Sequence, residues 1–244
     1  MSQWRLHADY QHLAADFGSL DLVFALEGER ITHDSESELI RIVRDGVSYY
    51  VKRYRSNGKG LRAYLPRPRI KAEWQNLQHF ADWGIPTASI VARGMQRKAC
   101  AFVRGAMITR EIPETRDLSD LALEKDACLQ DAGWVRQVSF QVADFTRVLH
   151  QHRFVHNDLK WRNILIDRQP KAFLIDCPTG GFWWGPFLQY RIVKDLACLD
   201  KVAKYQLSRS QRLRFYLRYV QQQRLTVADK KRIGKIIRFF AGRE

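Results

Sequence analysis

The segment FVHNDLKWRNILID, residues 154–167, constrains this chain more than any other stretch. Between two apolar runs it carries several polar side chains, among them His156, Asp158, Lys160 and Asn163. A second stretch, FLIDCPTGG, follows shortly afterwards, and in it Asp176 ends an apolar run typical of a strand. This arrangement suggests the hypothesis that the two carboxylates belong to one site.

Hydrophobic patterning divides the chain near residues 110–113 into two predicted lobes that share a cleft, an N-lobe (1–112) and a C-lobe (113–244). In the first, strands are predicted over residues 20–31, 37–43, 47–54, 87–95 and 100–110, and a helix over 69–84. Asp45-Gly46 is a strong signal for a two-residue hairpin turn. In the second, helices are predicted over residues 117–129 and 134–152, short strands on either side of 168–170, and basic helices from Tyr190 onwards.

The polar residues have the spacing that phosphoryl transfer requires. Asp158 and Asn163 lie five residues apart on a predicted loop, and Asp176 follows Asp158 by eighteen residues, after the next strand. Transfer from ATP needs a base for the acceptor hydroxyl, ligands for Mg²⁺ and a cation on the donor phosphates. Asp158 can accept the hydroxyl proton, and Asn163 and Asp176 offer the oxygen ligands that magnesium prefers. We therefore expect both carboxylates to reach one cleft from adjacent loops.

These motifs resemble a known family. HNDLKWRN (His156–Asn163) resembles the H-x-D-x-x-x-x-N catalytic loop of the protein-kinase superfamily. IDCP stands where that superfamily carries D-F-G, and YYVKRY where it carries the ATP-binding lysine strand. The pattern is most similar to the bacterial lipopolysaccharide core kinases, the Kdo/heptose kinase family. This resemblance implies an α+β, two-lobed protein-kinase-like fold, with an N-terminal antiparallel sheet plus one helix and a mostly helical C-terminal lobe.

The resemblance also implies roles for individual residues. Lys52 would hold the α/β phosphates, Glu73 on the following helix would hold Lys52, and Lys160 would approach the transferred phosphate. Asp195 would brace the catalytic loop from a helix, and His156 would have an architectural role rather than transfer a proton. The charged residues also have a plainer interpretation as ordinary surface charges, in a chain with 41 Lys/Arg and 26 Asp/Glu.

The chain departs from the superfamily pattern at two places. Where G-x-G-x-x-G is usual, EGERITHDSESE offers only Gly28, and backbone N–H groups of Thr32–Ser37 remain as a possible cap for the phosphates, among five acidic residues. Cys177 and Pro178 replace the Phe and Gly of D-F-G, and no A-P-E-like ending follows. We therefore expect no regulation by activation-loop phosphorylation, which favours a small-molecule or glycolipid kinase over a protein kinase.

An aromatic segment, TGGFWWGPFLQYR (Thr179–Arg191), stands in the place of that ending. Gly180 and Gly181 allow unusual backbone angles, and Phe182–Trp184 provide flat apolar area. Two interpretations stay open. The segment is either part of the acceptor site, where it stacks on a sugar or touches acyl chains, or an aromatic cluster that closes the core of the C-lobe.

The formal net charge of +15 is unevenly distributed, with twelve Lys/Arg against two acids after residue 201, and eight basic residues and no acid over 52–71. Such surfaces attract anionic lipid headgroups, nucleic acid or a phosphorylated substrate. RLRFYLRYVQQQRL and KKRIGKIIRFF mix basic and aromatic residues at helical spacing. They fit interfacial helices, and they fit equally helices packed on the C-lobe with only their charges outward.

The resemblance therefore predicts a sugar kinase that uses ATP and Mg²⁺ and phosphorylates a hydroxyl of the lipopolysaccharide inner core, heptose before Kdo. The alternatives are a kinase of another acceptor, protein or small alcohol, and a non-catalytic basic protein that binds nucleic acid. The nucleic-acid-binding alternative leaves the spacing of Asp158, Asn163 and Asp176 unexplained, so we expect no nucleic-acid partner. Scattered cysteines, no signal peptide and no apolar stretch of membrane length predict a cytoplasmic protein, attached peripherally to the anionic inner-membrane surface.

Overall fold

The computed structural model describes residues 2–33, 35–56, 64 and 67–242. The chain forms two compact units. Unit 1 contains Met1–His79 and Thr87–Ile112, and unit 2 contains Phe80–Pro86 and Pro113–Glu244. The predicted domain boundary, at residues 112 and 113, stays a prediction.

Unit 1 is built on an antiparallel sheet of six strands in the order β1-β5-β6-β4-β3-β2. The strands are β1 (Ser2–Leu6), β2 (Glu29–His33), β3 (Ser37–Arg44), β4 (Val47–Tyr54), β5 (Ile90–Lys98) and β6 (Ala101–Arg110). The predicted hairpin turn is confirmed, because Asp45 and Gly46 join β3 to β4 with φ angles of 52° and 74°. Gly tolerates these angles without strain, and Asp better than most residues.

The predicted helix of unit 1 is confirmed as α3 (Arg69–Asp82), which follows two short helices, α1 (Ala14–Phe17) and α2 (Leu20–Ala25). The four apolar residues that indicated α3 from their spacing are all buried: Ile70, Trp74, Leu77 and Phe80. Phe17 and Val23, from α1 and α2, are fully buried in one core cluster with sheet residues such as Val51 and Ile108. Apolar residues three to four positions apart thus attach these helices to the core.

The strand predicted over residues 20–31 is wrong in its first half, where the chain forms α2. Ser19 caps this helix by accepting the N–H of Leu22 at 3.2 Å, and Leu20 and Val23, three residues apart, bury one face. Strand β1 was not predicted at all. It pairs with β5. Its alternating apolar pattern consists only of Trp4 and Leu6, which pack against the core.

Unit 2 is mostly helical. Its helices are α4 (Leu118–Leu123), α5 (Ala132–Gln151), α6 (Gly185–Gln206), α7 (Arg209–Val220) and α8 (Val227–Arg238). Five short strands form two small sheets, and they are β7 (Arg116–Asp117), β8 (Phe154–Val155), β9 (Ile164–Ile166), β10 (Ala172–Leu174) and β11 (Gly181–Phe182). Within the described part of the chain, no helix is long and apolar enough to cross a membrane.

Most predictions for unit 2 are confirmed, including the long helix α5, the strands β9 and β10, and the basic helices α6 to α8. The single helix predicted over residues 117–129 is wrong. The chain forms α4 and then a separate 3₁₀ turn, Ala127–Gln130. Lys125 lies between them with a φ of 53°, a left-handed conformation that a continuous right-handed helix does not contain.

Candidate active site

The segment His156–Asn163 follows the buried strand β8 and leads through a 3₁₀ turn into β9. Asn157 has a φ of 65°, in the left-handed region that Asn enters more readily than most residues. Its side chain is held at both ends, because Nδ2 donates to the carbonyl of Thr179 and Oδ1 accepts from Arg191, each at 2.7 Å. The loop therefore starts from a defined backbone conformation.

Asp195 on α6 holds this loop in place through hydrogen bonds, as the resemblance implied. It is fully buried, and its carboxylate accepts the backbone N–H groups of His156 and Asn157 at 2.8 and 2.9 Å. A buried carboxylate is costly unless several hydrogen bonds satisfy it. Its interpretation as a plain helix-surface charge is wrong.

Two further buried residues extend this network, and no pattern in the sequence indicated them. His150 on α5 lies with Nε2 3.5 Å from Asp195 Oδ2, and its Nδ1 lies 2.8 Å from the hydroxyl of Tyr219 on α7. Burial raises the pKa of Tyr219, which therefore keeps its proton. Because 69 residues separate His150 from Tyr219, no local pattern could have joined them.

His156 is fully buried and stacks on Phe80 with ring centroids 6.0 Å apart. Burial lowers its pKa, because the apolar surroundings disfavour the charged imidazolium. The negative charges of Asp195, Asp176 and Asp158 oppose this effect and favour a higher pKa, but burial outweighs them. A neutral, stacked and buried imidazole fits the architectural role that the resemblance implied.

Asp158 is partly exposed, and two cations contact its two oxygens. Lys160 Nζ lies 2.6 Å from Oδ1, and Arg162 Nη2 lies 3.4 Å from Oδ2. Lys160 thus lies beside the candidate base, on the exposed side of the loop. Its predicted contact with a transferred phosphate stays a prediction.

Asn163 and Asp176 are brought together by the backbone. The buried Asn163 side chain donates from Nδ2 to the carbonyl of Asp158 at 2.8 Å, so the amide oxygen would be the atom that binds a metal ion. The N–H of Ile175 donates to the carbonyl of Asn163 at 3.0 Å, which puts the next residue, Asp176, beside the loop. Asp176 has a φ of 55°, a strained conformation of the kind found at functional sites. One amide and one carboxylate oxygen make a donor set that suits Mg²⁺.

Glycine at position 180 is needed for a different reason from the predicted one, which was an unusual backbone angle. Neither it nor Gly181 has a positive φ. A Cβ at Gly180 would lie 2.4 Å from Cys177 Sγ and 2.7 Å from Phe154 Cζ, so close packing requires glycine. Cys177, in the place of the superfamily's Phe, is fully buried with Sγ 3.7 Å from the carbonyl of His156.

Two residues of the aromatic segment fit its interpretation as a cluster that closes the core, and its interpretation as part of the acceptor site stays a prediction. Phe182 packs edge-on against Phe154 at 5.4 Å, and the half-buried Trp183 lies 3.5 Å from the guanidinium of Arg191. These two side chains contribute to the packing of unit 2. Trp184 differs from them, because 62% of its surface is exposed.

In unit 1, Lys52 and Glu73 form the predicted pair. Lys52 Nζ on β4 lies 2.8 Å from Glu73 Oε1 on α3, and the Glu73 side chain is 4% exposed. The hydroxyl of Tyr54 also donates to Glu73, at 3.4 Å. The plain interpretation of Glu73 as a surface charge is therefore wrong.

The predicted phosphate cap, Thr32–Ser37, lies partly outside the described residues, because Asp34 is not among them. Gly28 before it is required by close packing, since a Cβ would lie 2.5 Å from the carbonyl oxygen of Arg41. Three of the nearby acids contact arginines, in the pairs Glu29–Arg41, Glu36–Arg69 and Glu38–Arg53. These pairs reduce the negative charge that the sequence alone suggested for this region.

Unit 2 also contains a mostly apolar cavity of about 470 Å³, which was not predicted. Its lining includes Trp134, Val138, Trp161, Leu196, Leu213 and Ile237. Arg209 and Arg212 also line it, and Arg212 is bound by both oxygens of Asp200, at 2.7 and 2.8 Å. The cavity is within the size range of ligand sites.

A sheet unit with a lysine paired to a buried glutamate, and a helical unit with a braced H-x-D-x-x-x-x-N loop, define the protein-kinase-like class. A solved structure, described as WaaP in complex with acyl carrier protein, matches with a TM-score of 0.74. The match covers 98% of this chain and 94% of that one at 22% identity. The predicted fold class is therefore confirmed.

The model of the lipopolysaccharide kinase (Kdo/WaaP) family matches residues 19–234. The chain belongs to this family, and the resemblance inferred from its motifs is confirmed. It is also 26% identical over 110 residues to the 3-deoxy-D-manno-octulosonic acid kinase of Vibrio cholerae serotype O1. That match covers 45% of this chain and 43% of the relative, so it spans less than half of either protein.

Proposed function

We propose that the protein is an ATP-dependent kinase that phosphorylates a sugar hydroxyl, of Kdo or heptose, in the lipopolysaccharide inner core. The observation that carries the proposal is a pair of hydrogen bonds in one braced loop region. The Asn163 side chain donates to the carbonyl of Asp158, and the N–H of Ile175, the residue before Asp176, donates to the carbonyl of Asn163. Family membership supports the acceptor class. The name of the Vibrio relative makes Kdo the first acceptor to test, whereas the sequence alone ranked heptose first.

In the proposed reaction, Asp158 orients the acceptor hydroxyl and takes its proton. Lys160 and Arg162 fix the position of the two carboxylate oxygens of Asp158. Asn163 and Asp176 would hold Mg²⁺, which when bound neutralises and orients the triphosphate. Lys52 would contact the donor phosphates, and Glu73 would hold its ammonium group in place.

The test is transfer of labelled phosphate from Mg-ATP to dephosphorylated core oligosaccharides that end in Kdo or in heptose, with mass spectrometry of the products. Asp158→Asn should lower kcat by about 10² to 10⁴, the usual contribution of a positioned base. Asp167→Asn is the matched control, because the Asp167 carboxylate accepts the N–H groups of Gln169 and Lys171 in the next turn. Transfer to proteins or small alcohols instead of the saccharides would favour the alternative acceptors.

We also propose that the cavity of unit 2 holds a fatty acyl chain. The matched WaaP structure is described as a complex with acyl carrier protein. In this chain the supporting observation is a cavity of about 470 Å³ lined mainly by apolar side chains. Each methylene group buried there would contribute about 0.8 kcal/mol.

Acyl-loaded and unloaded carrier protein should differ in their effect on thermal unfolding, because only the loaded form can fill the cavity. Val138→Trp would occupy the space and should remove the difference. Leu123→Ala, at an exposed position on α4, is the control. Equal stabilisation by both forms of the carrier protein would contradict the proposal.

A substrate that is a growing glycolipid lies at the inner membrane. We therefore propose that the protein acts in the cytoplasm, on the cytoplasmic face of that membrane. The net charge of +15 supports attraction to an anionic surface.

A further inference from the structure

The start of α6 exposes large aromatic side chains next to one another. Trp184, Phe187 and Tyr190 are 62%, 70% and 56% exposed. They are spaced by three residues at the start of α6, so neighbouring members lie side by side on successive turns. Exposed apolar patches of this kind mark interaction sites.

Two partly buried rings that follow α8, and that also pack against the core of unit 2, adjoin this patch. The ring of Phe239 lies 5.5 Å from that of Tyr190, and Phe240 lies 5.0 Å from Phe239. The ammonium group of Lys201 lies over Phe240 at 5.5 Å. We call the five aromatic residues the aromatic face, namely Trp184, Phe187, Tyr190, Phe239 and Phe240.

The charges around the aromatic face are positive. Lys235 and Arg238 are exposed in the last turn of α8, directly before Phe239. The acidic residues of α6 and α8 do not offset these positive charges at the surface. Asp195 and Asp229 are buried, and Asp200 is bound to Arg212. Asp229 is used within the protein, where it accepts from Thr226 and from Tyr216.

We propose that the aromatic face binds the surface of a bilayer that contains anionic lipids, with the rings among the headgroups and the cations on lipid phosphates. Aromatic rings flanked by lysine and arginine are the chemistry of interfacial binding. A protein partner would not require that the charges around the aromatic face all have the same sign. The inference rests on the proposed location at the inner membrane, and not on phosphoryl transfer.

The test is co-sedimentation of the purified full-length protein with vesicles of phosphatidylcholine alone or with one third phosphatidylglycerol. No ATP or acceptor sugar is present, so the result does not depend on the proposed kinase activity. The protein should bind the anionic vesicles, less tightly as salt rises. Trp184→Ala combined with Phe187→Ala should weaken binding at least about ten-fold.

Leu123→Ala and Tyr205→Ala are the matched controls, because both residues are exposed and lie outside the aromatic face. Lys235→Glu combined with Arg238→Glu should also weaken binding to anionic vesicles. Unchanged binding of the Trp184/Phe187 double variant would overturn the proposal, and so would equal binding to both vesicle types. Loss of oligonucleotide binding rather than vesicle binding in that variant would overturn it in favour of nucleic acid.

Discussion

Asp195 Oδ2 accepts the backbone N–H of His156 at 2.8 Å, although 39 residues separate the two in the chain. Through this bond a carboxylate inside α6 holds the loop that carries Asp158 and Asn163. The geometry of the candidate site therefore depends on packing within unit 2 as well as on the loop's own residues.

Replacing Asp195 should destabilise the protein. Asp195→Ala would leave the N–H groups of His156 and Asn157 buried without an acceptor, and should lower the free energy of unfolding by about 2–4 kcal/mol. Asp195→Asn keeps an acceptor and should cost less. Urea unfolding measures both, and a loss below about 0.5 kcal/mol for Asp195→Ala would contradict the bracing role.

Tyr219→Phe tests whether the network through His150 supports the loop. The change removes only the hydroxyl that lies 2.8 Å from His150, and should lower the free energy of unfolding by about 1 kcal/mol. If the network positions the loop, kcat should fall while the KM for ATP stays the same. Tyr205→Phe, at an exposed position, is the control. Unchanged kcat with reduced stability would show a purely structural role.

Removing Lys52 should affect stability as well as nucleotide binding. Lys52→Met would remove the cation that lies 2.8 Å from the nearly buried carboxylate of Glu73, at an expected cost of about 2–4 kcal/mol. Changing both residues, Lys52→Met with Glu73→Gln, should restore part of the stability but none of the ATP binding. Calorimetry with Mg-ATP and urea unfolding separate the two effects. Recovery of ATP binding in the double variant would show that Lys52 does not contact the phosphates.

Acidification should destabilise the protein through His156. Its folded-state pKa lies below the ordinary value of 6.5, so below that pH the unfolded chain binds a proton that the folded one does not. Stability should therefore fall as pH drops from 7 towards 5, by up to about 1.4 kcal/mol per pH unit. His156→Phe should flatten this dependence, whereas the exposed His12→Gln should not. Parallel curves for the parent and His156→Phe would contradict the assignment.

Local patterns were enough to predict the hairpin at Asp45-Gly46 and the helix α5, because turn chemistry and helical periodicity act over a few residues. The pairing of Lys52 with Glu73 followed from motif resemblance. The apolar run after Ser19 was taken for a strand, since short apolar runs do not separate strand from helix. The bonds of His150 to Tyr219 and Asp195, and the close contact at Gly180, arise from tertiary packing between distant segments, which no local window contains.

We propose above all that the side chains of Asp158, Asn163 and Asp176 form one site for Mg²⁺ and a nucleoside triphosphate. Titration calorimetry with ATP, in the presence and absence of Mg²⁺, tests it most directly on the parent protein, Asp176→Ala and the control Asp167→Ala. We expect Mg²⁺-dependent binding by the parent and the control, and binding at least about ten-fold weaker in Asp176→Ala. Equal affinity in all three proteins, or affinity that does not depend on Mg²⁺, would contradict it.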